Sequence, residues 1–336
     1  MRLRALLLGL TAFVFASPPM TGNAQRLAPL KTAVTTSPSL LSIEYFEDGP
    51  HNGETVILVH GFPYSIDAFS SVVPLLVEQG YRVIVPYLRG YGGTKFLQHN
   101  TPRSAEQAAL GYDIIALMDV LHIDQAICAG YDWGSVAVNV ATALWPERCI
   151  RMVAANSYLI QNRTTAWIPT DPSAEAERWY YYVFLTPRGA AGLAERPKDW
   201  TRTLWEKNSI GWNFTEEYLD ITTTALLNPD FIAITVNFYR NRLLYAPGDP
   251  AFADLANKLD SQPPIKVPSV TLDPEDSVVL KAANSSAAAK FFTGPRCHHR
   301  LPNVGENIPY QAPETFANAI FQVSNLSESN TKCEQI

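Results

Sequence analysis

Short, uniformly apolar runs separated by helical patterns limit the folds open to this chain more than any other feature. "TVILVHG" (55–61), "YRVIVPYLRG" (81–90), "QAICAG" (125–130) and "CIRMVAANS" (149–157) are too continuously apolar for strands with one wet face. Between them, "AFSSVVPLLVEQG" (68–80), residues 104–121 and "VAVNVATALWPE" (136–147) carry helical spacing. Apolar strands alternating with helices predict a parallel sheet covered on both faces. The alternation stops near residue 157. Residues 158–246 are rich in Trp and Tyr and read as helices without strands, and the pattern resumes at "IKVPSVTLD" (265–273) and "GPRCHHRL" (294–301). The expected architecture is an α/β core over residues 25–156 and 251–336, with about eight mostly parallel strands. A helical cap is inserted over 157–250. "SIEYFEDG" (42–49) is a further strand, and residues 25–40, rich in Thr, Ser, Pro and Ala, read as a loose lead-in.

Composition narrows the partner. With 47% hydrophobic residues among 336, the chain can bury a full core. A formal charge of -6 without a Lys/Arg-rich stripe argues against nucleic acid and points to a small molecule. At the N-terminus, "MRLRALLLGLTAFVFA" sets two arginines before a 12-residue apolar run, and "GNA" (22–24) supplies small residues for cleavage. That is the layout of a signal peptide over 1–24. As a helix the run spans ~18 Å, short of ~30 Å of hydrocarbon, so no stable membrane span is expected after cleavage; an uncleaved anchor is the alternative. The expected location is outside the cell or in the secretory lumen. Four N-x-S/T triplets, at Asn162, Asn213, Asn284 and Asn325, fit glycosylation on that route. Four cysteines allow up to two disulfides, with three pairings, and Cys128, inside an apolar strand, is expected as a buried thiol. No cluster of ligands suggests a metal or an organic cofactor.

The sharpest local signal is "AGYDWGSVAVNVA" (129–141), where a strand meets a helix at Gly130-Tyr131-Asp132-Trp133-Gly134. The glycines allow a tight turn and close helix–strand approach, and the central residue is pushed outward. This is a nucleophile elbow with Asp132 as the outward residue; a structural turn with an Asp cap is the plain alternative. "LVHGFP" (58–63) ends a buried strand in His60-Gly61-Phe62-Pro63. Together these segments resemble the α/β-hydrolase superfamily, specifically its epoxide hydrolase and haloalkane dehalogenase branches, which use an aspartate nucleophile. The resemblance implies that the N–H groups of Phe62 and Trp133 face the Asp132 carboxylate as an oxyanion site. It makes His60 a structural loop residue. "YLRGYGGT" (87–94) resembles the family loop after the third core strand, and "LDPEDSVV" (272–279) resembles its acid segment, with Asp276 a better match than Asp273.

Two cap segments separate the branches. Opening an epoxide by carboxylate attack expels an alkoxide, which needs a proton donor at the ring oxygen. "ERWYYYVFLTPRG" (177–189) and "VNFYRNRL" (236–243) resemble the tyrosine-bearing cap motifs of epoxide hydrolases and place Tyr180 and Tyr239 as donors. Tyr181 and Tyr182 are assigned to packing or to an alternative donor role. A dehalogenase needs two halide-binding N–H donors; Trp133 supplies one, and Phe62 offers no side-chain donor for the second. The family's last loop resembles G-x-G-H-N-x-P-x-x-A-P, and "NVGENIPYQAP" (303–313) keeps that frame with Glu306 at the histidine's place. Three readings stay open. Glu306 is the base of an epoxide hydrolase acting on an apolar epoxide; or Asp132 with Glu306 activates water or a substrate hydroxyl directly, the latter giving an epoxide-opening cyclase of secondary metabolism; or the chain is a secreted binding protein that has lost catalysis.

Overall fold

The computed structural model describes residues 25–336; the expected leader over 1–24 lies outside them. Among the described residues, nine strands form one sheet in the order β1-β2-β4-β3-β6-β7-β8-β9, with β5 paired to β2. The strands are β1 (Leu30–Val34), β2 (Leu41–Asp48), β3 (Thr55–Val59), β4 (Arg82–Pro86), β5 (Lys95–Phe96), β6 (Ala126–Gly130), β7 (Cys149–Ala155), β8 (Ser269–Pro274) and β9 (Arg296–Leu301). The pairs from β4 through β9 are parallel, and those made by β2 are antiparallel. The central strands alternate between two cores: Ile57 and Val59 pack on one face, Val56 and Leu58 on the other. All four are fully buried, and each such side chain stabilises the fold by roughly 1.5–3 kcal/mol.

Core helices α1 (Val72–Glu78), α2 (Gln107–Val120) and α3 (Trp133–Leu144) flank the sheet. Between β7 and β8 the chain makes six cap helices: α4 (Pro172–Glu177), α5 (Trp179–Phe184), α6 (Pro187–Glu195), α7 (Pro197–Asn208), α8 (Glu216–Ala225) and α9 (Phe231–Arg242). Proline in the first turn opens α4, α6 and α7, where its missing N–H forfeits no bond. Thr186 and Thr215 cap α6 and α8 by accepting from Gly189 N–H at 3.0 Å and Tyr218 N–H at 3.1 Å. The chain returns through α10 (Ala253–Asp260) and closes with α11 (Ile308–Gln311) and α12 (Pro313–Asn325).

Two expectations are corrected. The lead-in over 25–40 contains β1, which pairs antiparallel with β2 from Leu30↔Phe46 to Val34↔Ser42. Only Ala33 of this edge strand is buried, so its order comes from ladder bonds and leaves no apolar pattern in the sequence. Cys128 is not a thiol. It is joined to Cys149, and Cys297 is joined to Cys333. Cys128 and Cys149 stand on neighbouring parallel strands with Cα atoms 5.5 Å apart, a proximity that only strand order creates.

Candidate active site

The floor of the site lies at the carboxyl ends of β3 and β6. Asp132 caps α3 with φ 53° and ψ -125°, a left-handed conformation that aims its side chain out of the turn. Two close approaches shape this corner. A Cβ on Gly134 would lie 2.0 Å from the Val59 carbonyl oxygen, and one on Gly61 would lie 2.2 Å from Asp132 Oδ1. With both positions bare, Phe62 N–H and Trp133 N–H each donate to Asp132 Oδ1 at 2.6 Å. The same helix N-terminus favours negative charge there. Oδ2 accepts no hydrogen bond among the described residues. Pro63 follows Phe62 through a cis peptide bond. His60 braces the loop: Leu88 N–H donates to its Nε2 at 3.2 Å, so the proton sits on Nδ1, which donates to the Gly61 carbonyl at 3.0 Å. Burial pushes its pKa down to about 4, which keeps it neutral.

A second carboxyl group enters from the loop between β9 and α11. Glu306 is 5% exposed. Its N–H donates to Ser209 Oγ at 2.9 Å, and Ser277 Oγ donates to its Oε1. Burial raises both acids, Asp132 to about 7 and Glu306 to about 8; the Asp132 charge raises Glu306 further, and the Ser277 bond opposes this. For Asp132 the two N–H bonds and the charge of Arg242 pull the other way without overcoming burial.

Asp276, expected as the acid partner, makes no hydrogen bond to Glu306 among the described residues. Its N–H and carbonyl pair with Val304 and Ile210, and its carboxylate makes no hydrogen bond among the described residues. The neighbouring Ser277 touches Glu306 in its stead. A carboxylate beside Glu306 would repel its charge, whereas the Ser277 hydroxyl donates to it. A carboxyl group at 306 calls for a donor, and the serine next to Asp276 is the sequence signal for one. Ser209 carried no such signal, because it comes from the end of α7 and meets the core loops only in the fold. Asp273 is buried and closes its own loop, accepting from Ala283 N–H at 2.8 Å and Ser157 Oγ at 3.4 Å. His298 and His299 are engaged elsewhere, with Thr271 Oγ1 at 3.0 Å and Gln322 Oε1 at 2.7 Å.

The roof comes from α5 and α9. Tyr180 and Tyr239 are 3% and 1% exposed, and their rings meet edge to face at 5.5 Å. Tyr239 lies 5.8 Å from Trp133 and 5.7 Å from Phe62, the two residues whose amides hold Asp132. Burial, neighbouring phenols and the Asp132 charge push both phenols well above their ordinary range, so they stay protonated. Tyr181 joins them, its ring 4.7 Å from that of Tyr239. Asp132 and Tyr181 keep part of their surface open, yet burial penalises charge on both. The site thus joins a carboxylate in a two-amide cradle, a second buried carboxyl group and a set of neutral phenols.

Comparison with known proteins bears on the fold and the family. The profile of the alpha/beta hydrolase fold family matches residues 54–285. A Klebsiella pneumoniae crystal structure assigned as an epoxide hydrolase is 38% identical, with a TM-score of 0.87, over 91% of this chain and 100% of that one. Epoxide hydrolase A of Mycobacterium tuberculosis is 24% identical over 328 residues, 88% of this chain and 97% of its own length. Epoxide hydrolase B of the same organism is 29% identical over 162 residues, 48% of this chain and 45% of that protein.

Proposed function

The chain belongs to the α/β hydrolase fold family, in its epoxide hydrolase branch, and from that premise we propose that it opens an epoxide on an apolar small molecule through attack by Asp132. One observation carries the reading: both N–H bonds end on Oδ1 at 2.6 Å, and Oδ2 is left without a hydrogen bond among the described residues. Oδ2 attacks a ring carbon, the C–O bond breaks, and the departing oxygen takes the proton of Tyr239 or Tyr180. The product is an alkyl ester whose carbonyl oxygen is Oδ1, already within the oxyanion site.

Glu306 then acts in the histidine's place, and the charges set the order of events. With Asp132 at about 7 and Glu306 at about 8, Asp132 is the first of the two to ionise as pH rises, and the reactive form is ionised Asp132 with protonated Glu306. The Glu306 proton then passes to the phenolate and restores the phenol, leaving Glu306 as a carboxylate; Tyr180 and Tyr181 both feel the Glu306 charge. Ester formation has meanwhile removed the Asp132 charge that raised Glu306, so its carboxylate forms more readily. It takes a proton from water as the water oxygen adds to the ester carbon. Collapse expels the alkoxide, which takes the proton left on the Asp132 carboxyl, and a diol leaves with both acids in their starting states.

The test is single turnover of an aryl epoxide in heavy-oxygen water. Light oxygen in the first diol, drawn from Asp132, is the expected result. Heavy oxygen in that first product would mean direct activation of water and overturn the ester route. No diol from any epoxide would overturn the reaction. A secretory route is part of the same proposal, supported by the pairing of all four cysteines. Expression in a eukaryotic host and N-terminal sequencing of the exported protein tests it, with a start near residue 25 expected.

A further inference from the structure

Arg242 is a cation in the last turn of α9. Its guanidinium carbon stands over the Phe238 ring, 5.9 Å from the centroid. Phe238 stacks on Trp133 at 4.0 Å, and the Trp133 N–H holds Asp132. The charge therefore sits two rings from the nucleophile. The side chain is half-buried, and among the described residues it forms no hydrogen bond and no ion pair with a carboxylate. Arg240, in the same turn, differs: its Nε and Nη2 donate to the Leu185 carbonyl at 3.2 and 3.0 Å. A cation in a last turn suits the helix dipole wherever it points. The dipole gives no reason for one of the two guanidinium groups to lean over the active-site rings with its five donors unused.

The charge of Arg242 is felt at Asp132 and Tyr181, two groups of the site that keep part of their surface open. A wholly apolar substrate has no use for a half-buried guanidinium over the rings that pack against the nucleophile's turn. An anionic one would be repelled by ionised Asp132 unless a cation met its far end. The aromatic wall between Arg242 and Asp132 suits the apolar body between the two ends. We propose that Arg242 binds the carboxylate of the substrate, so that the molecule taken is an apolar epoxide with an anionic group several carbons from the ring. This rests on the reading of the chain as an epoxide-opening enzyme. A guanidinium holds a carboxylate through two parallel N–H bonds, which lysine cannot reproduce.

The test compares 10,11-epoxyundecanoate with its methyl ester on the wild-type chain and on Arg242→Met, Arg242→Gln and Arg242→Lys. The wild type is expected to favour the acid over the ester by about tenfold or more in kcat/KM, chiefly through KM. Met and Gln are expected to bring that ratio near one, and Lys to keep part of it. The ratio cancels any effect of the substitution on Asp132 that both substrates share. Calorimetry with undecanoate and undecanamide, which carry no epoxide, reads the same preference without chemistry. If neither epoxide is opened while the preference for undecanoate still depends on Arg242, the reaction fails and the anion site stands. If both epoxides are opened with an acid-to-ester ratio that the substitutions leave unchanged, the anion site is overturned and the reaction stands. Absence of the preference in both assays overturns the anion site.

Discussion

Asp132 is held from below by main-chain N–H groups, whereas the phenols above it are held chiefly by the packing of aromatic rings. The floor geometry is set by backbone, on a strand end and a helix N-terminus, and depends little on which side chains surround it. The roof is made of side chains alone. Three tyrosines meet there, one more than the proposed reaction asks for as proton donors. Glu306 belongs to neither pattern cleanly, since its N–H bond to Ser209 and its carboxyl bond to Ser277 tie core loop, cap end and acid loop together. The comparison teaches that the reaction is set at the floor and its substrate at the roof.

Asp132→Asn tests the floor with the largest effect. Turnover of an aryl epoxide is expected to fall about 10⁴-fold. The amide oxygen can still accept both N–H bonds, so the circular dichroism spectrum should not change. A smaller loss in turnover would move the nucleophile elsewhere.

Glu306→Gln should lower turnover by about 10²–10³-fold while the alkyl ester on Asp132 accumulates, visible by mass spectrometry of the intact protein. Stability should move the other way. Because burial raises the Glu306 pKa from 4.5 to about 8, its protonated form contributes stability that is full below the unfolded value and lost as pH rises through about 8. The Gln variant escapes this loss, so its melting temperature is expected to exceed that of the wild type at pH 8 and to match it at pH 4. Equal melting curves at both values would show that the acid is not buried in its charged form. In the wild type, single-turnover ester formation should rise with pH through about 7 as Asp132 ionises.

The roof should respond more gently. Tyr239→Phe is expected to cost about 10–100-fold in the ester-forming step. Tyr180→Phe and Tyr181→Phe, measured side by side, identify the second donor; equal and small losses would mean that the phenols substitute for one another. The smallest effect is expected from Ser277→Ala, about tenfold in turnover. Removing the hydroxyl takes away the bond that lowers Glu306, so the pH dependence of ester hydrolysis should shift upward, and Ser277→Thr should restore it. An unshifted profile would make Ser277 a packing residue.

Much of the architecture could be read from the chain because strand uniformity, helical spacing and the Gly130–Gly134 turn are local patterns, each enforced by backbone geometry within a few residues. The elbow at Asp132 and the loop at His60–Pro63 were legible for the same reason. The edge strand over Leu30–Val34 was not, since ladder bonds leave no apolar signature. Nor was the Cys128–Cys149 pairing, which depends on which strands become neighbours. At the site, the sequence pointed to Asp276 beside Glu306, and the structure brings Ser277 there.

By itself, then, the sequence determined the layer architecture, the inserted cap and the outward carboxylate at 132, all of which follow from short-range sterics and periodicity. Only the tertiary structure decided which hydroxyl meets Glu306, which cap phenol packs near the rings of Phe62 and Trp133, and which core ring the Arg242–Phe238 pair stacks on. Those contacts join residues tens to more than a hundred positions apart, and their chemistry depends on shared burial, which no local pattern encodes.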